Sequence, residues 1–365
     1  MALPSTTYDT ATVLNPSGAL TDFTLMVDLS RMSSAWWAAA ENIDATNGRA
    51  AKDDGTELAC DWIDYTHGSP VGSGWLRVKW SGTLATSGTQ VLRIYPPVTG
   101  NGTVAADDAL GSNNAYDSAW AGYWPLSSDY NDRTANANNG SVNVGDGLLS
   151  AGDTSSPAGP VTMFRGPGAD YISVAGVEAF EATTDKMTAF ALARIDWPGT
   201  SAQSWEGILN RRDSYSIQFS GSGTNVYFRT DDGVYSNNLE SGAAGHFDGA
   251  FHSYAITYEV AEKRVVLDGV QAGIAAGPHG MGAQSRTFQI GRPWIGGNMW
   301  EGPIGHVHVH NDARSNSWIE QEDDQLMGQA AFFGTWTNNP LSSGDNYNRT
   351  SSRKICRLRV VSRCR

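Results

Sequence analysis

The sequence predicts an all-β protein in which a small β-domain precedes a larger antiparallel β-sandwich. Short runs of β-branched and aromatic residues alternate with Gly, Asn and Asp clusters, a pattern typical of sandwiches and barrels. The 365 residues include 41 glycines and 13 tryptophans. Helical patterns are few, and the clearest is "SNSWIEQEDDQLMGQAAFF" near residue 320. We expect that helix to lie on the surface and to close the second domain.

The charge balance and the apolar runs exclude some function classes. The formal net charge is -13, whereas phosphate contacts require a basic surface, so we expect no nucleic-acid partner. The apolar runs fall far short of the roughly 20 residues that span a bilayer, so we expect no membrane insertion. The first residues lack the pattern of a secretory signal. Three cysteines, Cys60, Cys356 and Cys364, give no disulfide framework.

Residues 1–97 form the small β-domain in this interpretation, with an attachment or accessory role. The segments "FTLMVDLS", "GWLRVKWSGTL" and "TQVLRIYPP" are predicted strands, and the last ends at Pro96-Pro97 because proline cannot continue a ladder. Asp54-Gly55 predicts a hairpin turn. Residues 98–118 lack periodicity and are predicted to be a linker or a long loop.

Residues 119–337 form the larger domain, and residues 338–365 form a basic tail. In "FHSYAITYEV", Tyr254, Ile256 and Tyr258 share one face of a strand, and "LDGV" predicts a hairpin turn. The tail carries seven basic residues against one acidic residue. Its composition predicts order only against a partner or another chain.

Five segments in order resemble the laminin G-like, concanavalin A-type jelly-roll lectin family over roughly residues 119–332. The resemblance implies two antiparallel sheets packed face to face. The segments are "AGYWPLSSDYNDRTANANNGSV", "MFRGPGADYISV", "KMTAFALARID", "GAFHSYAITYEVAEKRVVLDGV" and "FQIGRP…MWEGPIGHVHVHNDARSNSWIEQEDDQL". More loosely, the first domain resembles a small β-domain of unknown function found beside such lectin-like domains in bacterial and phage surface proteins.

The stretch "GPIGHVHVHNDARS" places three histidines, His306, His308 and His310, at alternate positions of a predicted strand. Val307 and Val309 then point into the sandwich core, and the histidines point to the other face. A His-x-His pair on a strand can hold zinc, but it requires a third ligand and an ordered surrounding shell. We therefore favour a strand facing solvent or an interface over a metal site.

Four tryptophans in predicted loops are candidates for sugar binding, because an aromatic ring stacks on the apolar face of a pyranose. They are Trp197, Trp205, Trp294 and Trp300. The alternative is that each ring caps the hydrophobic core at the end of a sheet.

Calcium is a candidate cofactor, although none is required. Members of the resembled family often bind Ca²⁺, and Asp129, Asn131 and Asp132 offer oxygen ligands at short spacing. The alternative for these three residues is an Asx-turn loop that satisfies its own backbone.

The sequence predicts no catalytic site. A glycoside hydrolase needs two carboxylates about 5 to 10 Å apart, and no strand carries such a motif. The acidic run Glu320–Gln325 lies on the predicted surface helix, where charge is usually solvated. The Gly-x-Ser-x-Gly motif of serine hydrolases, the P-loop motif and the dinucleotide-binding motif are also absent from the sequence.

We therefore expect a non-catalytic phage virion surface protein of the head decoration, fibre or spike type, whose lectin-like domain binds a host cell-surface glycan. Its partners would be capsid or tail proteins, and a homo-oligomer, preferably a trimer, is expected. One alternative is a secreted bacterial carbohydrate-binding or adhesion protein at the cell surface. Another is a glycoside hydrolase or polysaccharide lyase on the same fold.

Overall fold

Short antiparallel sheets make up the N-terminal unit of the computed structural model. The alternation of "YDTATV" makes every second residue of its first strand buried. Its strands are β1 (Tyr8–Val13), β2 (Leu20–Thr21), β3 (Thr24–Asp28), β4 (Arg49–Lys52), β5 (Glu57–Leu58), β6 (Cys60–Thr66), β7 (Ser73–Lys79), β8 (Thr83–Leu84) and β9 (Gln90–Tyr95). Helix α1 spans Ser34–Ala39, with short 3₁₀ turns at Leu29–Arg31, Ala45–Asn47, Thr99–Asn101 and Ser112–Asn114.

The described part of the chain comprises residues 7–14, 18–86, 88–143, 149–165, 170–175, 186–196, 206–211, 214–219, 225–231, 236–242, 246–260, 262–276, 287–293 and 299–340. Within it, no helix is long and apolar enough to cross a membrane. The three candidate tryptophans Trp197, Trp205 and Trp294 lie outside these residues, as does the tail from residue 341 onward.

Two antiparallel sheets packed face to face form the larger unit, which confirms the predicted sandwich. Their strands are β10 (Trp120–Trp124), β11 (Gly140–Asn143), β12 (Thr154–Ser156), β13 (Gly159–Phe164), β14 (Tyr171–Val174), β15 (Lys186–Ala193), β16 (Gly207–Arg211), β17 (Tyr215–Phe219), β18 (Asn225–Asp231), β19 (Ser236–Gly242), β20 (His252–Glu259), β21 (Glu262–Leu267), β22 (Val270–Ala276), β23 (Phe288–Ile290) and β24 (Gly302–His310). One sheet has the order β12-β13-β24-β15-β20-β21-β22, with β10 also paired to β24, and the other has the order β11-β14-β23-β16-β17-β18-β19.

The core between these two sheets contains the residues that the alternation of strands β20 and β24 predicts. Tyr254, Ile256, Tyr258, Val307 and Val309 are all at most 1% exposed and belong to one apolar cluster. The predicted hairpins also form. Gly55 and Gly269 take φ of 84° and 72°, conformations that glycine adopts without strain.

The chain returns to the N-terminal unit at its C-terminal end, through α2 (Asn316–Met327), α3 (Gln329–Phe332) and β25 (Thr337–Asn339). Strand β25 pairs with β1 in a sheet of order β25-β1-β9-β4-β5. Gln325 of α2 accepts a hydrogen bond of 2.6 Å from the Met26 backbone N–H. The N-terminal unit therefore includes the last helices and strand of the described chain, and the boundaries at residues 97 and 119 stay a prediction.

A second apolar cluster joins the N-terminal unit to the outer face of the β24-containing sheet. It includes Phe23 and Val78 from the first unit, Phe190 from the sandwich, and Trp318 and Ile319 from α2. The sheet that contains β24 is consequently covered on both faces. The prediction that α2 is a surface helix is wrong, because its Glu322 and Gln325 are completely buried.

Candidate functional site

The three histidines of β24 lie at the junction between the two units, with side chains 0 to 2% exposed. The prediction of a solvent-facing or interface-facing strand is resolved in favour of an interface. The strand has a bulge here, since its pairing with β15 shifts between Phe190 and Leu192, and His306 takes φ of 49°.

Hydrogen bonds within the junction occupy most of the histidine nitrogens. His306 contacts the Tyr123 hydroxyl at 2.9 Å and the Ala158 carbonyl at 2.9 Å. Arg314 Nε donates to His310 Nδ1 at 3.2 Å, so His310 carries its proton on Nε2 and donates to His308 Nδ1 at 2.9 Å. The imidazoles therefore bind one another, the Tyr123 hydroxyl and the backbone.

A charge pair ends this chain of hydrogen bonds. His308 Nε2 lies 3.4 Å from Glu322 Oε1, and Glu322 also binds the guanidinium of Arg77 in a bidentate pair. Burial and the charge of Arg77 lower the pKa of His306 to about 3. Burial likewise lowers the pKa of His308 and His310, so all three imidazoles are neutral at physiological pH. This network fixes the position of one unit against the other.

One predicted sugar-binding residue, Trp300, lies within the described residues, and its predicted role is wrong. Its side chain is 0% exposed and packs against Phe219 with ring centroids 5.7 Å apart, so it offers no face to a sugar. The core-capping alternative describes it.

The predicted calcium ligands form an Asx-turn loop. Asp129 accepts hydrogen bonds from the backbone N–H and the side-chain amide of Asn131. Asp132 accepts four: from the backbone N–H groups of Tyr123, Thr134 and Asn138, and from the Thr134 hydroxyl. Four donors therefore occupy that carboxylate, as the Asx-turn alternative describes, and calcium at Asp132 stays a prediction.

A cleft of about 200 Å³ opens between the N-terminal unit, the 104–112 loop and the sandwich. Strand β6 contributes Asp61 and Trp62, and the loop after β10 contributes Arg133. Trp62 is partly exposed, and it lies over Gly48, where a Cβ atom would come within 2.1 Å of the indole Cζ2. The volume is below the usual range for drug-sized ligands and suits a single ring.

Polar groups in the cleft are held in fixed orientations. Arg133 donates to both carboxylate oxygens of Asp61, at 3.3 and 3.2 Å, and to the Trp62 carbonyl at 3.0 Å. The Tyr116 hydroxyl donates to Asp61 at 2.7 Å. Burial raises the pKa of Asp61 in spite of the opposing charge of Arg133. A partly exposed indole beside a guanidinium and a carboxylate has the chemistry that binds a sugar ring and its hydroxyls.

Sequence reasoning missed this cleft, because its lining comes from segments on both sides of the 98–118 loop.

Sequence reasoning also missed a pair of carboxylates, Glu206 before β16 and Glu301 before β24. Glu206 is 6% exposed, and burial together with the charge of Glu301 raises its pKa to about 7. Burial and Asp196 raise the pKa of Glu301. The tripeptide Trp-Glu-Gly occurs at both positions, and this repeated motif could have identified the two carboxylates from the sequence.

Residues 167–320 match the family model described as the concanavalin A-like lectin/glucanases superfamily. These residues form a concanavalin A-like domain. The match covers the sandwich from β14 to the first turn of α2, and confirms the resemblance found in the sequence. No curated protein matches the chain.

Several solved structures are similar to part of this chain at low identity. The binding domain of botulinum neurotoxin DC in complex with SialylT has 14% identity and a TM-score of 0.44, covering 57% of this chain and 52% of that one. The binding domain of Paraclostridial Mosquitocidal Protein 1 has 12% identity and a TM-score of 0.46, covering 56% and 52%. Domain 4 of AbnA, a GH43 extracellular arabinanase from Geobacillus stearothermophilus, in complex with arabinotriose, has 13% identity and a TM-score of 0.43, covering 55% and 97%.

The present chain spans about half the length of the neurotoxin domain. The two packed sheets and the family match establish the fold.

Proposed function

We propose that this chain is a non-catalytic carbohydrate-binding protein of a phage virion surface, which binds a host cell-surface glycan. The observation that carries the binding role is the cleft at Trp62, where a partly exposed indole lies beside Arg133 and Asp61. Ring stacking supplies contact area and the charged groups orient hydroxyls, as in other sugar sites. The cleft holds one terminal sugar in this proposal.

A glycan array with the full chain tests the binding role. We expect Trp62→Ala to reduce binding about 2- to 10-fold, since stacked aromatic contacts contribute about 0.5–1.5 kcal/mol beyond their area. Trp336→Ala is the matched control, because Trp336 is also partly buried against the N-terminal core but packs on Phe333, away from the cleft. Absence of glycan binding by the parent chain, or equal loss in both variants, would refute the role of the cleft.

The virion location rests on the two-unit architecture. A receptor-binding protein on a particle needs a base that attaches and a second unit that faces the host, and here a buried network fixes the two units together. In this proposal capsid or tail proteins hold the side of the N-terminal unit that does not line the Trp62 cleft, and the assembly is a homo-oligomer, preferably a trimer.

Mass spectrometry of gradient-purified particles tests the location. We expect the chain to co-purify with the particles at a stoichiometry divisible by three. Recovery from culture fluid free of particles would favour the secreted or cell-surface adhesion protein instead.

A second candidate function, glycan hydrolysis, is favoured by Glu206 and Glu301. A pKa of about 7 would keep Glu206 protonated near neutral pH, as a general acid requires, beside a second carboxylate. If the chain releases reducing sugar from host polysaccharide, and Glu206→Gln abolishes this while the exposed Glu320→Gln does not, the protein is a hydrolase. No release across a polysaccharide panel supports the non-catalytic proposal.

A further inference from the structure

Two histidines and an aspartate from separate segments meet at the start of the β20–β21 hairpin. His252 begins β20, Asp268 lies in the turn after β21, and His246 belongs to the preceding loop. The donor atoms of all three side chains lie within 4.8 Å of one another. The side chains of His246 and His252 are 11% and 12% exposed, whereas that of Asp268 is 42% exposed.

From this arrangement, we propose that His246, His252 and Asp268 bind a divalent first-row transition metal ion of the zinc class. Imidazole nitrogens and one carboxylate oxygen are the ligands that such ions prefer, whereas calcium and magnesium prefer oxygen alone. Three protein ligands leave a fourth position open to solvent on the Asp268 side, as in zinc sites that accept water or an anionic group.

The distances fit tetrahedral coordination after small side-chain shifts. Ligand atoms at about 2.0–2.1 Å from zinc are roughly 3.3 Å apart in a tetrahedron. His252 Nδ1 lies 2.8 Å from Asp268 Oδ2, and His246 Nε2 lies 3.7 Å from the same oxygen. The two imidazole rings are 4.1 Å apart between centroids.

The second nitrogen of each imidazole already has a partner of the kind that metal-bound histidines use. His252 Nε2 contacts Asp248 Oδ1 at 3.1 Å, and His246 Nδ1 contacts the buried Tyr254 hydroxyl at 3.3 Å. A carboxylate or hydroxyl in this position fixes the tautomer and raises the basicity of the ligating nitrogen.

The carboxylate ligand is oriented in the same way. Asp268 Oδ1 accepts the Ser253 backbone N–H at 3.0 Å, which leaves Oδ2 facing the two histidines. The hairpin turn holds Asp268 in the left-handed region, at φ of 48°.

An ordinary ion pair explains part of this geometry. His252 contacts a carboxylate with each ring nitrogen, Asp268 through Nδ1 and Asp248 through Nε2. That pair does not require His246, whose Nε2 lies 3.7 Å from the same carboxylate oxygen and whose ring is tilted against that of His252. A bound metal uses all three groups.

Isothermal titration of the full chain with zinc chloride tests the site. The chain carries Cys356→Ser and Cys364→Ser, because thiolates of the C-terminal region also bind zinc. We expect one saturable zinc per chain. His246→Ala and Asp268→Asn should each abolish saturable binding, and Asp248→Asn should weaken it about 10- to 100-fold.

His67→Ala is the matched control and should bind like the parent, because His67 is a partly buried histidine that contacts the Ala40 carbonyl in the N-terminal unit. Asp268→Asn keeps the turn, since asparagine tolerates positive φ, and it remains informative if His246→Ala fails to fold. No saturable binding by the parent, or parental affinity in Asp268→Asn, would overturn the proposal.

Discussion

Replacing Glu322 with glutamine should strongly destabilise the protein, because it leaves a buried arginine without its anion. Glu322 Oε2 accepts from Arg77 Nη1 at 3.0 Å, and Oε1 accepts from Nη2 at 2.6 Å. Both side chains are 0% exposed. The pair joins α2 to β7 and lies against the Tyr123 ring, whose centroid is 4.7 Å from the guanidinium carbon.

Two independent considerations give the same magnitude. Each hydrogen bond to a charged group contributes about 1.5–3 kcal/mol, and removing one partner of a buried ion pair costs about 3–5 kcal/mol. We therefore expect Glu322→Gln to lower the free energy of unfolding by about 4 kcal/mol, which is roughly a thousandfold in the folding equilibrium constant. This is a large part of the about 5–15 kcal/mol of a typical protein.

Urea denaturation followed by tryptophan fluorescence measures the effect through the unfolding midpoint. Glu320→Gln, on the exposed side of α2, is the matched control and should change stability by less than about 0.5 kcal/mol. The double variant Arg77→Met/Glu322→Leu should recover most of the loss, since apolar residues can replace a buried pair without cost. A Glu322→Gln midpoint equal to that of Glu320→Gln would refute the reasoning.

Three further predictions concern Glu322, Asp132 and Gly48. The pKa of Glu322 is lowered to about 2 from an ordinary 4.5, so its ionised form contributes stability that is complete above pH 4.5 and lost as the pH falls toward 2. The difference in urea midpoint between the parent and Glu322→Gln should therefore shrink between pH 4.5 and pH 2. A constant difference would contradict this. Asp132→Ala should lower the free energy of unfolding by about 3 kcal/mol, because it leaves buried N–H donors without an acceptor. The urea midpoints of parent and variant should not respond to calcium or chelator. A calcium-dependent midpoint of the parent would instead support calcium binding at this loop. Gly48→Ala should cost about 1–3 kcal/mol by pushing the Trp62 indole aside, and an unchanged urea midpoint would show that the ring moves freely.

The sandwich could be predicted from sequence because its determinants are local. Period-2 alternation correctly placed Val307, Val309 and Ile256 in the core. The sequence Asp268-Gly269 specified its hairpin, because both residues take positive φ there.

The junction could not be predicted, because its partners are far apart in sequence. Alternation shows that His308 points away from the sandwich core, but it cannot tell solvent from another layer of protein. The partner that makes Glu322 a buried ion, Arg77, lies 245 positions away. An acidic residue on a helix is usually solvated, so the identity of Glu322 alone indicated a surface position.

The cleft at Trp62 escaped prediction for a related reason. Arg133 is 72 positions from Asp61, and only the folded junction brings them together. The predicted tryptophans lie in loops, yet the partly exposed ring of the cleft belongs to strand β6.

The pairing of β25 with β1 has a consequence for how the chain is made. A ribosome must translate about 240 residues after Tyr95 before Thr337 emerges, which takes on the order of 10–50 s at typical elongation rates. Throughout that interval β1 presents an open edge and Phe23 lacks the cover that Trp318 later provides. The nascent N-terminal segment should therefore be a strong client of ribosome-associated chaperones, and its yield in a host should depend on their supply more than on the speed at which the sandwich folds.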